Sequence, residues 1–181
     1  MRESAIKLAL LLILMQFTTP LFATTEPVAA DILFARYYVN WASGFEFKGM
    51  TVDSAGQVYS FEYGASDNDD GFSNNSGKTA EQLDTFYKPG RQLITTVTPD
   101  ELQQMIELIP HAAVGSFSER VNEAYDMGTF AWVGYNFNPQ TSLFQTIDLK
   151  QSGDWCSHNL ATSAAALVVW LDRLAVAGTK K

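Results

Sequence analysis

The chain is short of the residues that usually carry catalysis and metal binding. Its 181 residues hold 1 cysteine and 2 histidines. A single cysteine cannot close an internal disulfide, so packing must hold the fold together. Any metal site built on His111 and His158 must draw further ligands from elsewhere in the chain. Positive charge is also scarce, with 12 Lys and Arg against 20 Asp and Glu and a net charge of -8. Beyond residue 23, which removes Arg2, Lys7 and Glu3, ten basic and nineteen acidic residues remain, a net -9. Those ten are scattered, and the longest basic run is the terminal Lys180–Lys181 pair. Phosphate backbones and anionic headgroups would be repelled, so no nucleic-acid partner is expected. Long apolar runs are missing as well. Leu8 to Met15 is far short of the ~20 residues a spanning helix needs, which argues against a stable membrane span.

What is present at the N-terminus reads as an export signal. Arg2 and Lys7 precede the apolar run, Pro20 breaks it, and Ala23 is a small residue suited to cleavage. No cysteine follows the run, which removes the lipoprotein option. Residues 1–23 are therefore expected to be a signal peptide and 24–181 one domain, exported to the periplasm or the exterior of a bacterial cell. Thr24 to Asp31 reads as a short mature tail.

Periodicity then sets the expected elements. Ile32 to Ala42 is rich in β-branched and aromatic residues and reads as a strand. Phe45 and Phe47 alternate with Glu46 and Lys48, while Met50 and Val52 lie in the opposite parity. A bulge at Gly49 would return those residues to one face. Asp53 to Gly56 makes a turn, and Tyr59, Phe61 and Tyr63 share one face of the return strand. Residues 64–78 are expected to form a polar, acidic, flexible loop. Aligning Gly71 with the glycine of a helix–loop–helix calcium site puts Ser66 first and Gly77 twelfth. That site lacks its bidentate carboxylate and is rejected, leaving only weak, irregular calcium binding open. Asn74 to Ser76 is a glycosylation sequon, of consequence only in a eukaryotic secretory host.

Thr79 and Gln82 form a capping pattern for a short helix to Tyr87, and Gln92 to Val97 reads as a strand. Thr98 to Pro110 has the signals of a helix. Thr98 caps it, Pro99 lies in its first turn, Glu101 completes a capping box and Pro110 stops it. His111 to Gly128 reads as a partly helical connection. A second hairpin joins Thr129–Phe137 to Ser142–Lys150 through Asn138–Thr141. Its first strand puts Ala131, Val133, Tyr135 and Phe137 on one face and Phe130 and Trp132 on the other. Leu143, Ile147 and Leu149 are expected to continue the first of these faces. A last helix runs from about Leu160 to Val176, with Gly178 as its stop. Together these predict an α+β fold, an antiparallel sheet built from two hairpins with amphipathic helices packed on one face.

Two features could carry chemistry. In Ser152 to Ala161, Asp154, Cys156 and His158 alternate and could converge on one side of an extended segment. They could ligate a metal, or Cys156 could act as a nucleophile with His158 or His111 as base. Against both stands a structural role as a strand-to-helix connector. There Asn159 or Ser157 would cap the last helix, Gly153 would turn the chain, and Trp155 would plug the core. The second feature is aromatic surface. With 4 Trp, 7 Tyr and 12 Phe, a surplus including Phe130, Trp132 and Trp155 would form a shallow surface for a small ligand or a protein.

The stretch from Asn40 to Tyr63, with Asp126 to Phe137 and Ile147 to Leu171, resembles a group of uncharacterised exported bacterial proteins. Those share an Asn-(Trp or Phe)-Ala-x-Gly entry, an Asp-x-x-Gly-x-Val-Tyr hairpin and a late Ser-Gly-Asp segment. The resemblance implies export and a shared α+β domain and brings no activity with it. The expectation is a non-enzymatic binding or interaction module without a cofactor. The alternatives are a small cysteine-dependent hydrolase and a metal-binding protein.

Overall fold

The computed structural model describes residues 31–42, 44–64 and 77–178. The expected signal peptide, the tail before Asp31, and the acidic loop with its calcium and glycosylation motifs lie outside these residues, save for the loop's ends. Among the described residues the fold is α+β, one antiparallel sheet of eight strands with three helices. Its strands are β1 (Ile32–Asn40), β2 (Glu46–Asp53), β3 (Gln57–Gly64), β4 (Gln92–Thr96), β5 (Val121–Asn122), β6 (Thr129–Asn138), β7 (Leu143–Gly153) and β8 (Trp155–His158). The helices are α1 (Ala80–Tyr87), α2 (Pro99–Ala113) and α3 (Thr162–Gly178). Across the sheet the order is β4-β3-β2-β1-β6-β7-β8-β5.

Local chemistry accounts for most of the element ends. Asp53 Oδ1 accepts from Ala55 N (3.0 Å) and Gln57 N (2.8 Å), and Gly56 takes φ 76°, so the β2–β3 turn closes as its sequence predicts. Thr79 and Gln82 form the reciprocal capping box at α1. At α2, Thr98 Oγ1 accepts from Glu101 N at 3.3 Å, but the Glu101 side chain does not return the bond. It reaches across to α3 instead, accepting from Trp170 Nε1 at 2.7 Å and pairing with Arg173.

The parity change around Gly49 has a different cause from the expected bulge. β1 and β2 pair without interruption from Phe34–Val52 to Asn40–Glu46. Apolar residues occupy both parities because the sheet is covered on both sides. Phe34, Met50, Val52, Val58, Trp132 and Leu149 meet α2 and α3 in one cluster. Ala35, Phe47, Phe61, Val133 and Tyr135 form the other, with Leu83 and Tyr87 of α1. Gly49 is required by close approach, since a Cβ there would run into the Arg36 carbonyl oxygen and the Tyr37 backbone. The register does shift in β7, between the Trp132–Lys150 and Val133–Asp148 pairs. Ile147 and Leu149 consequently pack with the α2–α3 cluster, not with Val133 and Tyr135.

Pro110 lies inside α2, which continues to Ala113. The last turn survives because Ala112 is fully buried and its carbonyl accepts from Asn159 Nδ2 at 2.8 Å. Asn159 is therefore not the cap of a helix starting at 160. It is 4% exposed, its Oδ1 accepts from Ala161 N at 3.0 Å, and α3 begins at Thr162. Among the described residues no helix is long and apolar enough to cross a membrane.

Candidate functional site

The segment expected to be a simple connector contains a strand of its own. Gly153 takes φ 123°, a conformation open to glycine, and lets the chain reverse from β7 into β8. A Cβ on Gly153 would also run into the Gly128 carbonyl. β8 pairs with β7 at Lys150–His158 and Gln151–Ser157, and with β5 at Val121–Cys156 and Asn122–Trp155. Its far end is tied down by Ser118, which donates from its N–H to the His158 carbonyl (2.9 Å) and accepts the His158 N–H on Oγ (3.0 Å). Asp154 holds the neighbouring loop. Its Oδ1 accepts from Met127 N at 2.8 Å, and its carbonyl accepts from Glu123 N at 3.1 Å and Asn122 Nδ2 at 3.0 Å.

This arrangement leaves a cleft of about 370 Å3 at the sheet edge, lined by residues of 118–123, β7 and β8. Cys156 and His158, two apart on the strand, both line it, together with Lys150, Ser152, Glu119, Glu123 and Val121. The Cys156 thiol donates to Glu123 Oε2 at 3.1 Å, with Ser152 Oγ and the Gly153 carbonyl each at 3.9 Å. Neither histidine is a hydrogen-bond partner of Cys156. Asp154 and His111 do not line the cleft, and His111 is exposed in the last turn of α2. Among the described residues no group of three His, Cys, Asp or Glu side chains could hold a metal ion.

The aromatic candidates divide. Trp132 is 5% exposed and so is not part of an open patch. Its Nε1 donates to Asp172 Oδ1 at 3.0 Å, which also accepts from Arg36 Nε at 2.8 Å. The Arg36 guanidinium and Lys150 Nζ lie 5.1 and 4.7 Å from the Trp132 ring, as cation–π partners. Phe130 remains 38% exposed and rests against Tyr38, with ring centroids 4.8 Å apart. Trp155 does not plug the core. It is 39% exposed, with the Arg120 guanidinium 4.6 Å from its ring.

A second polar group lies inside the α1 cluster. The Tyr87 and Tyr135 hydroxyls share a hydrogen bond of 2.6 Å, and both residues are buried. Burial raises the Tyr135 phenol pKa, electrostatic coupling to Tyr37 and Asp148 adds to it, and the hydrogen bond with Tyr87 opposes it. Burial raises the Tyr37 phenol in the same way, again helped by Asp148. The Asp148 carboxyl is itself raised by partial loss of water around it, although the residue keeps exposed surface.

Sequence reasoning located Cys156 and His158 but missed Lys150, Glu119 and Glu123. Lys150 looked like the polar end of a strand, and the two glutamates sat in the segment without clear periodicity. The β7–β8 pairing brings Lys150 opposite His158, and the β5–β8 pairing brings the segment of the glutamates beside Cys156; each is a pairing of two residues and leaves no local signal.

These features define an α+β fold with one antiparallel sheet and a cleft at its β8–β5 edge. No family model, curated protein or solved structure matches the chain.

Proposed function

We propose that the chain is an exported bacterial protein, acting in the periplasm or outside the cell as a non-enzymatic binding module. Its ligand site is the cleft between β5, β7 and β8. Residues 1–23 serve as the export signal, and 24–181 form one domain. The β2–β3 and β6–β7 hairpins are its building units, with α2 and α3 covering one face.

The observation that carries the reading is the cleft itself, about 370 Å3 and lined by both charge signs, hydroxyls and Val121. Ligand pockets fall in the range of ~300–1,000 Å3 and combine apolar lining with a few placed polar groups. Exposed Trp155, from the strand that lines the cleft, and Phe130, opposite Ser152 on the neighbouring strand, add aromatic surface nearby. A small-molecule fragment library titrated into the purified protein tests this by amide NMR. Shifts concentrated on 118–123, 150–152 and 156–158 are expected. Shifts that fall elsewhere, or none at all, overturn it.

A cysteine-dependent hydrolase is the second reading, favoured by Cys156 and His158 lining one cleft. Its weakness is the partner of the thiol. Glu123 holds Cys156, and no imidazole is placed to activate it. That reading requires a reactive thiol, so slow modification of native Cys156 by iodoacetamide would end it. A metal site on Asp154, Cys156 and His158 has less support still, because Asp154 lies outside the cleft that Cys156 and His158 line and its Oδ1 accepts from Met127 N–H.

A further inference from the structure

We propose that the cleft binds a small zwitterion, an α-amino acid with an apolar side chain. This rests on the reading of the cleft as a binding site. Lys150 lines it with its ammonium 4.7 Å from the Trp132 ring, and no carboxylate pairs with that ammonium. Glu119 and Glu123 line the same space. Glu123 takes the Cys156 thiol on one oxygen, and among the described residues the Glu119 carboxylate has no ion-pair partner. Residues of opposite charge thus line one cavity, and no ion pair joins them.

A singly charged ligand would satisfy one of these groups and meet the other as a like charge. Two carboxylates against one ammonium also leave the lining net negative, which disfavours a simple anion. An amino acid carries both charges on adjacent atoms. Its carboxylate meets Lys150, with the exposed His158 as a further donor, and its ammonium meets Glu119 and the free oxygen of Glu123. Val121 and the Cys156 side chain supply the apolar contact for its side chain.

The test titrates the purified protein with L-leucine, L-methionine and L-phenylalanine, each beside its deaminated acid and its decarboxylated amine, read by amide NMR. At least one amino acid should shift 118–123, 150–152 and 156–158 and bind about tenfold tighter than both of its analogues. Lys150→Gln and Glu119→Gln should each weaken that binding by about tenfold, with an unchanged thermal midpoint showing the fold intact. Equal binding of either analogue overturns the proposal, as does full affinity in both variants. If library fragments shift the cleft and no amino acid does, the zwitterion proposal falls and the binding reading stands. If neither shifts it, both fall.

Discussion

The packed interior around Phe47 and the β5–β8 edge are built from the same sheet, yet they settle their polar and apolar groups in opposite ways. Phe47 is fully buried among the rings of Tyr37, Phe45, Phe61, Phe86 and Tyr87, with centroids 4.8 to 6.3 Å apart. The buried hydroxyls of Tyr87 and Tyr135 bond to each other. At the edge, Lys150, Glu119 and His158 line an open space and find no ion-pair partner. Desolvation explains the contrast. An unsatisfied group in the interior costs stability directly, whereas water lowers that cost at the edge, where the proposed ligand would meet these charges. The interior should therefore govern folding and the edge should govern binding.

The largest effect that would sharpen this division is at Phe47. Phe47→Ala should destabilise the protein by about 3–5 kcal/mol, from lost transfer energy and the cavity left behind. Urea unfolding measures it, and a loss under about 1 kcal/mol would mean that the ring cluster collapses easily around the gap. Next comes the tyrosine pair. Tyr87→Phe leaves the buried Tyr135 hydroxyl without its partner and should cost about 1–3 kcal/mol, while Tyr87→Phe with Tyr135→Phe should recover most of that loss. A double variant as unstable as the sum of both singles would show that the hydroxyls do not act as a pair.

The smallest effect concerns pH. Asp148 has a folded pKa raised above its ordinary value by desolvation. Folding therefore favours its protonated form, and that contribution is present at low pH and lost as pH rises through the raised pKa. Asp148→Asn should raise the thermal midpoint slightly at neutral pH, and the gain should disappear toward acid pH. A gain that persists at acid pH would assign it to something other than ionisation.

How much of this was legible from residues alone depends on the range of the interaction. The cap at Thr79, the turn at Asp53–Gly56 and the start of α2 involve partners within four residues, so their signals are local. The misreadings all involve a distant partner. Gly49 was read as a bulge because the second covered face could not be seen from β2. Pro110 was read as a stop because Asn159, 47 residues away from Ala112, holds the last turn. The connector reading placed Trp155 in the core, the aromatic-surface reading placed Trp132 beside it in the open, and the burial of each depends on what pairs beside it. Cys156 and His158 were visible as an alternating pair, but their neighbours Lys150, Glu119 and Glu123 were not.

Sequence by itself determined the α+β class, the alternation of the main strands, the helix starts at Thr79 and Thr98 and the tight turn after β2. Each follows from backbone hydrogen bonds and side-chain period within a few residues. Only the tertiary structure decided which face each apolar residue meets, that Glu101 and Asn159 serve distant elements, and that a thiol, an imidazole, an ammonium and two carboxylates share one cleft. Those outcomes depend on non-local strand pairing, whose free energy is a sum over the whole sheet and is written at no single position.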